Sequence, residues 1–137
     1  MKAPRVVCGS FADEAQPAYL LGYDETLDEI EEHLKDETMI IVGHNVCYDF
    51  GCVAAEDPER FLPLIFAAYD SGRVRDTKIR EQLSNLAQGR LRFDPDTKQR
   101  SSYSLAALAN KYFGKVLDKG ADGFRCRYNE LDPNDIN

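Results

Sequence analysis

Short apolar segments alternate with amphipathic ones along the chain, and this pattern predicts both strands and helices. Residues 5–11 are rich in β-branched side chains, and a second apolar stretch at 18–21 follows an acidic turn. Two such stretches joined by a turn are typical of a hairpin, so we expect two adjacent strands. Residues 39–43 form a continuous apolar run, which predicts a strand that is covered on both faces.

Helical spacing predicts the first two long helices. Thr26 and Glu29 have the spacing of a capping box, so we expect a helix to begin at Thr26. Its apolar face consists of Leu27, Ile30 and Leu34. Asn45 can cap a second helix that residues 57–58 would end. The inward face of that helix consists of Val46, Phe50 and Val53.

The later part of the chain predicts three further helices and little strand. Residues 60–69 have the pattern of a short helix, and residues 73–75 that of an extended link. Asp76 can cap a helix that ends at Gly89. The inward face of this helix consists of Ile79, Leu83 and Leu86. The last helix begins at Ser102 or Ser104, after a polar loop, and its core face consists of Leu105, Leu108, Ala109, Tyr112 and Phe113.

This order of elements predicts an α/β fold in which helices flank a mixed sheet. The 137 residues suffice for a single domain over 1–137, with an irregular tail from 115 to 137 that lacks a core-forming period. The chain contains neither GxxxxGK[ST] nor GxGxxG. Nucleotide chemistry based on those phosphate loops is therefore excluded.

Composition indicates a globular protein, since 43% of the residues are hydrophobic and 30% are charged. Apolar runs are far shorter than the roughly 20 residues that cross a bilayer, so we expect no membrane partner. No secretory leader pattern follows Met1, which favours a cytoplasmic location. The four cysteines include no CxxC pair, and a structural zinc site is not expected.

Charge is unevenly distributed along this acidic chain, whose net charge is -7. Residues 1–71 contain 4 basic and 15 acidic side chains, whereas residues 72–100 contain 8 basic and 4 acidic ones. Local rather than total charge determines contact with a phosphate backbone, so this basic segment is a candidate for binding nucleic acid. The alternative is a solvated loop. Its basic residues are Arg73, Arg75, Lys78, Arg80, Arg90, Arg92, Lys98 and Arg100.

The candidate for chemistry is the segment 42–50, where the apolar strand leads into the helix after Asn45. Asp49 lies on the first turn of that helix. The positive end of the helix dipole keeps such a carboxylate ionised and able to bind a cation. Ends of strands in open α/β sheets are also where ligands bind.

The pattern His44-Asn45-x-x-Tyr48-Asp49 resembles the second exonuclease motif of 3'-5' proofreading exonucleases in the ribonuclease H-like superfamily. Residues 76–83 and 103–114 are similar to two stretches that follow this motif in family A DNA polymerases, especially those of phages. Residues 124–132 are similar to the linker before the third motif. The resemblance covers about residues 4–132, with three stretches in the expected order.

The resemblance implies a ribonuclease H-like sheet and metal-dependent hydrolysis at a single-stranded DNA 3' end, with Mg²⁺ or Mn²⁺ as the cofactor. Asp49 would be the metal ligand, and Asn45 and Tyr48 would lie beside the metal or the substrate. His44, Lys78 and Arg80 would contact the DNA. Simpler structural roles remain open for each of these residues. They are a helix cap for Asn45, a dipole-stabilising acid for Asp49, core packing for Tyr48, a structural histidine at His44 and a solvated face for the two basic residues.

The family holds two metal ions with an Asp-x-Glu strand, the Asp of the second motif and an Asp on a late helix. One carboxylate cannot hold both ions, and only Asp49 matches. Asp57-Pro58-Glu59 has the spelling Asp-x-Glu, but its proline predicts a turn. Asp132 ends a Tyr-x-x-x-Asp pattern, but Pro133 disfavours a helix there. We therefore expect a partial exonuclease domain, lacking its first strand and last helix, that is inactive alone.

Two alternatives remain open. The chain can be a non-catalytic module that binds DNA or a polymerase partner through its basic segment, in which case binding falls steeply with salt and needs no metal. It can also be one part of a split exonuclease, in which a complementary chain supplies the other carboxylates. The split form would leave an exposed sheet edge and apolar surface on the isolated chain.

Overall fold

The computed structural model describes residues 4–93 and 98–117, which belong to the α/β class as predicted, but whose strands form two separate two-stranded sheets in place of the predicted mixed sheet. Its elements, in chain order, are β1 (Gly9–Phe11), β2 (Tyr19–Leu21), α1 (Tyr23–Lys35), β3 (Ile41–Gly43), α2 (Val46–Glu56), α3 (Pro58–Asp70), β4 (Val74–Asp76), α4 (Thr77–Ala87) and α5 (Leu105–Phe113). These residues form two compact units, the first from 4–39 and 47–73 and the second from 40–46 and 74–117. Most of the predicted irregular tail lies outside the described residues.

The first unit begins with the predicted hairpin, in which β1 and β2 pair antiparallel with Phe11 opposite Tyr19. Helix α1 then begins three residues before the predicted start, so the capping box expected at Thr26 is wrong. Gly22 is the N-cap residue, and its N–H donates to the Glu25 carboxylate at 3.3 Å. Thr26 is buried inside the helix, where its hydroxyl donates to the carbonyl of Leu21 at 3.0 Å. The Thr26 hydroxyl can therefore bond locally without capping the helix.

The core of the first unit is formed by α1, α2 and α3. The predicted boundary between α2 and α3 is confirmed, because Asp57 caps α3 by accepting the N–H of Arg60 at 3.0 Å and Pro58 occupies the first helical position. Phe61 and Ala68 are completely buried. The other buried apolar residues are Leu27, Leu34, Phe50, Val53, Ala54 and Ile65. These include most of the positions that helical periodicity placed inward.

The second unit contains a parallel pair of strands, because residues 74 and 75 of the predicted extended link belong to β4, which pairs with β3. The expectation that the 39–43 strand is covered on both faces is wrong. Ile40 is 58% exposed and Val42 is 63% exposed. These two residues are separated by two positions, so they lie on the same face of the strand. That face of the two-stranded sheet is open in the described part of the chain.

Helices α4 and α5 have the predicted extents but not the predicted orientation. The apolar face of α4 is exposed, at 47% for Ile79, 60% for Leu83 and 56% for Leu86. On α5 only Leu108 of the predicted apolar positions is buried. Periodicity identifies a helical face without saying which side of the helix meets the rest of the chain.

No helix among the described residues is both long and apolar enough to span a membrane.

Arg73 is buried, with 8% of its surface exposed, and is therefore unavailable to phosphate. Its guanidinium donates to the carbonyl oxygens of Leu34 and Asp36, both at 2.9 Å, and of Met39 at 3.4 Å. Its Nε donates to the hydroxyl of Ser71 at 3.1 Å. Carbonyls at the end of a helix lack intrahelical partners, so Arg73 closes the C-terminus of α1 within the first unit.

We expect Arg73→Met to lower the free energy of unfolding by about 2–4 kcal/mol, because it removes the donor to the buried carbonyl of Leu34 and to the partly buried carbonyls of Asp36 and Met39. Arg80→Met is the matched control, since it removes the same charge from an exposed position on α4. Its effect should stay within about 0.5 kcal/mol. Urea denaturation followed by circular dichroism measures both. Equal effects of the two substitutions would show that the buried contacts of Arg73 do not stabilise the fold.

Candidate functional site

The candidate site lies in the second unit, at the carboxyl ends of β3 and β4. The strands are parallel, with Gly43 opposite Asp76 at their last pair. His44 and Asn45 follow β3 directly, and Thr77 follows β4 as the first residue of α4. Polar side chains from two chain segments therefore converge at the edge where open α/β sheets bind their ligands.

The carboxylate of Asp76 accepts four backbone N–H groups. Two come from the start of α4, at 2.8 Å from Lys78 and 3.2 Å from Ile79. The other two come from the β3–α2 junction, at 3.1 Å from Asn45 and 3.0 Å from Val46. The sequence predicted the first pair, because Asp precedes an amphipathic stretch. The second pair depends on the register of β3 against β4 and has no signature in the sequence.

These donors determine the charge state of Asp76. Burial by itself raises the pKa of this carboxyl group, but the N–H groups of Asn45, Ile79, Lys78 and Val46 outweigh burial and hold the pKa below its ordinary value. Hydrogen bonds to the charged form of an acid favour that form. Asp76 is therefore ionised at neutral pH, and its lone pairs are committed to the backbone.

His44 has a protein partner at each ring nitrogen. Its Nε2 lies 3.0 Å from the carbonyl oxygen of Tyr103, and because a carbonyl only accepts, this nitrogen is the donor. Its Nδ1 lies 3.0 Å from the hydroxyl of Thr77, which in turn lies 3.1 Å from the carbonyl of Gly43. These contacts fit a structural histidine, the alternative to the predicted substrate contact.

Asn45 precedes α2 in the left-handed region, with φ of 66°. Asparagine tolerates this conformation better than most residues. Its side-chain oxygen accepts a hydrogen bond from Nζ of Lys78 at 3.0 Å, while Asp76 accepts the N–H groups at the junction. The described contacts therefore place Asn45 and Lys78 side by side at the strand ends. Arg80, one turn further along α4, is exposed.

Tyr48 and Asp49 belong to the first unit and lie on the first turn of α2. Both are exposed, Tyr48 at 57%, so core packing does not account for Tyr48. The charge of Asp49 acts on its neighbour Cys52: burial raises the pKa of this thiol, and the charges of Asp49 and Glu56 raise it further. Asp49 thus lies exposed on the first turn of α2.

The described residues do not by themselves fit the Mg²⁺ or Mn²⁺ centre that the resemblance implies. In residues 4–93 and 98–117, no three His, Cys, Asp or Glu side chains are grouped so as to hold a metal ion. Asp57 caps α3, and Pro58 and Glu59 are the first two residues of that helix. The Asp-x-Glu spelling therefore lies at a helix start and not in the predicted turn, and it is not on a strand. The second partial match, which ends at Asp132, lies outside the described residues.

A second polar centre, around Glu81, has no counterpart in the sequence prediction. Glu81 is 8% exposed and faces inward from α4. Its carboxylate accepts from Nζ of Lys111 at 2.6 Å, the hydroxyl of Tyr112 at 2.7 Å and the amide of Asn85 at 3.3 Å. These contacts, led by that of Lys111, hold the pKa of Glu81 below its ordinary value despite burial. A charged residue on an amphipathic helix gives no sequence signal of such burial.

Four of the residues singled out from the sequence, His44, Asn45, Asp76 and Lys78, thus meet in the second unit, and Tyr48 and Asp49 lie on the first. No protein-family model, curated protein or solved structure matches the chain. The likeness to exonucleases therefore depends on the sequence motifs alone.

We expect Asp76→Asn to lower the free energy of unfolding by about 1–3 kcal/mol, because one amide oxygen cannot accept all four N–H groups. Asp57→Asn is the matched control. The carboxylate of Asp57 caps α3 through the single N–H of Arg60, and asparagine caps a helix about as well as aspartate, so we expect a change below about 0.5 kcal/mol. Urea denaturation at pH 7 compares them. If both variants lose equal stability, the double role of Asp76 is excluded.

The stabilisation by Asp76 should also depend on pH. Its pKa is lower in the folded chain than in the unfolded chain, where it is about 3.9. Its contribution is therefore complete above the unfolded pKa and is lost as the pH falls through the folded pKa. We expect the stability difference between wild type and Asp76→Asn to be constant from about pH 7 to 5 and to shrink below about pH 4. Urea titrations across this range measure it, and a difference that grows on acidification would contradict the ionised state.

Proposed function

We propose that this chain is part of a 3'-5' exonuclease domain with a ribonuclease H-like sheet, of the kind attached to family A DNA polymerases. Asp49 is the metal ligand that the chain contributes, with Asn45 and Tyr48 beside it in the motif. Lys78 and Arg80 belong to the surface that receives the single-stranded DNA 3' end, and His44 supports the strand end through its contacts with Thr77 and Tyr103. The chain alone does not cleave DNA, because its partial matches to the other acidic motifs, at 57–59 and 128–132, contain or precede a proline, which disfavours the strand and the helix that those motifs need.

The observation that carries this proposal is the placement of the motif. It spans the junction at which β3 ends and α2 begins, and β3 is parallel to β4. Asp49 is exposed one turn into the helix. A carboxylate there is stabilised in its charged form by the helix dipole. A motif match supports a function only in a fitting structural context. The strand–helix junction is such a context for a cation-binding carboxylate.

The role of this chain's residues in the reaction is to bind and position. Lys78 has its ammonium fixed by Asn45 at 3.0 Å, so a positive charge is held at the strand ends where a phosphate would arrive. Phosphate contacts of this kind position a nucleic acid without reading its sequence. Two metal ions would supply the activated water and stabilise the leaving oxygen when bound. Hydrolysis therefore needs carboxylates beyond those that the described residues bring together.

A non-catalytic DNA-binding module is the second candidate, and the surface charge of the second unit favours it. Five basic side chains of the basic segment are exposed there: Arg75, Arg80, Arg92, Lys98 and Arg100.

The split exonuclease is a version of the leading proposal, and the open apolar surface of β3 and α4 favours it. Ile40, Val42 and Leu83 are each more than half exposed, as expected where a complementary chain would pack.

We expect the chain alone, with 5'-labelled single-stranded DNA and Mg²⁺ or Mn²⁺, to show no trimming above an Asp49→Asn control. Two other preparations should trim DNA from the 3' end. One is the chain extended by the segments that the flanking DNA encodes, and the other is the chain mixed with the product of a neighbouring gene. Asp49→Asn should then reduce the rate by more than about 100-fold, because losing a ligand costs more than losing a residue that orients one. Gel electrophoresis of the products measures both.

Asp57→Asn is the matched control in the extended protein, since it alters the other acidic candidate and should leave trimming unchanged. If the chain alone trims DNA and this activity depends on Asp49, the proposal that the domain is incomplete is refuted. Trimming by the extended protein that survives Asp49→Asn would refute the role of Asp49. Salt-sensitive DNA binding with no trimming in either form would favour the non-catalytic module.

A further inference from the structure

Helix α3 carries an outward apolar stripe in the first unit. Leu62, Phe66 and Tyr69, the α3 stripe, are spaced four and then three residues apart, so they lie on one side of the helix. Their exposed fractions are 40%, 62% and 38%. Phe61 and Ala68, on the other side of α3, are completely buried. The α3 stripe is thus an apolar surface that the core of the first unit does not use.

One end of the α3 stripe is fixed by contacts within the first unit. The ring of Tyr69 packs edge-on against that of Phe50, with the ring centroids 6.0 Å apart. Its hydroxyl lies 3.0 Å from Sγ of Cys47. A side chain that is already held in place loses little conformational freedom when it enters an interface. This end of the stripe is therefore suited to docking.

Helix α4 carries a stripe of the same spacing in the second unit. Ile79, Leu83 and Leu86, the α4 stripe, are also four and then three residues apart. They face away from α5, because Glu81 on the other side of α4 contacts Lys111 of α5. Apolar residues at this spacing form the seam along which two helices interlock in a coiled coil. Each helix thus presents one half of such a seam.

The two stripes are bordered by charges of opposite sign. Glu59 and Asp70 lie at the two ends of the α3 stripe, on the same side of the helix, and both are exposed. Arg80 lies beside the α4 stripe and is also exposed. The sequence has the same contrast, since residues 1–71 sum to 4 minus 15, or -11, and residues 72–100 to 8 minus 4, or +4. Such complementarity favours contact between unlike faces over contact between like ones.

We propose that the α3 stripe of one copy of this chain docks on the α4 stripe of a second copy, with the two helices antiparallel. The apolar residues then meet in three layers, which are Leu62 with Leu86, Phe66 with Leu83, and Tyr69 with Ile79. The antiparallel orientation also brings Asp70 beside Arg80, at the positive end of the α4 dipole. A parallel orientation would place Asp70 at the negative end of that dipole, away from Arg80.

This contact joins two different faces, so a dimer leaves one α3 stripe and one α4 stripe open. Contacts of this type extend into longer assemblies or close into rings. Three apolar side chains on each side form less than the roughly 800 Å² per partner of a standard interface, so we expect weak, reversible association. The inference goes beyond the proposed exonuclease function, because it involves neither Asp49 nor metal nor DNA.

Analytical ultracentrifugation of the full chain in EDTA, without DNA, measures the association. A concentration series from about 10 μM to about 1 mM covers the weak range. We expect the average mass to rise above the 15.5 kDa of one copy as the concentration increases. Added salt should lower the average mass, because it screens the charges at the edge of the contact.

Two blocking variants distinguish this contact from the pairing of like faces. Phe66→Asp blocks the α3 stripe and Leu83→Asp blocks the α4 stripe, because each places a charge inside an apolar contact. Each variant alone should associate at least tenfold more weakly than wild type. Their equimolar mixture should form a dimer with one copy of each, since each variant keeps the stripe that the other lacks.

Phe113→Asp is the matched control, since Phe113 is 77% exposed on α5 and belongs to neither stripe. It should change the association by less than about twofold. In the mixture, Asp70→Arg in the Leu83→Asp copy should weaken the dimer about two- to fivefold. Adding Arg80→Asp to the Phe66→Asp copy should restore it, which tests the antiparallel orientation. Circular dichroism shows whether each variant is folded.

Four outcomes would overturn the inference. One is a chain that stays a single copy at every concentration, even if it binds another protein through these stripes. Another is undiminished association of Phe66→Asp, which would indicate that α4 pairs with α4. An equal loss in Phe113→Asp would indicate non-specific adhesion of apolar surface. A mixture of the two blocking variants that remains monomeric would exclude docking of the α3 stripe on the α4 stripe.

Discussion

The carboxylate of Asp76 satisfies backbone groups at the starts of two helices at once, and the candidate site depends on this interaction. The first N–H groups of a helix need an acceptor from outside the helix. Asn45 precedes α2 but uses its side-chain oxygen for Lys78, so the acceptor comes from the neighbouring strand. This is only feasible when Gly43 lies opposite Asp76. A shift of one residue in that register would turn Asp76 to the opposite face of the sheet.

The same constraint orders the rest of the strand ends. Thr77 follows Asp76 and places its hydroxyl near both the carbonyl of Gly43 and the ring of His44. His44 reaches on to the carbonyl of Tyr103, which connects the strand pair to the segment before α5. Register, capping and the position of the polar side chains are therefore one linked arrangement. Such networks restrict a site to one geometry when every member has a partner.

Local signals in the sequence predicted the elements well, because each depends on a few neighbouring residues. The hairpin of β1 and β2, the break before Pro58, the cap at Asp76 and the start of α5 at Ser104 all follow from turn and capping chemistry. The start of α1 was misplaced because two consecutive segments, 22–25 and 26–29, each offer a Glu three residues after a cap position. Gly22 caps the helix in place of Thr26.

Orientation and long-range pairing could not be predicted from the same signals. The inward side of α4 carries Glu81, because Lys111 and Tyr112 on α5 provide its partners, and the apolar stripe is left outward. The burial of Arg73 likewise depends on the C-terminus of α1, more than thirty residues earlier in the chain. The Asp49 motif was found because its spacing is local. A cavity lined by residues of 81–90, 99–102 and 107–112 has no signal in the sequence, because three separate segments line it.

The outward stripe of α4, formed by Ile79, Leu83 and Leu86, has a practical consequence. Each of these residues is about half exposed in the folded chain, and together they form a continuous apolar strip along one helix. Fluorescent dyes such as ANS, which bind such surfaces, are commonly taken to diagnose a molten globule. For this chain a bright dye signal would be a property of the native state. Loss of packing is better judged from its near-ultraviolet circular dichroism, to which its tyrosines contribute.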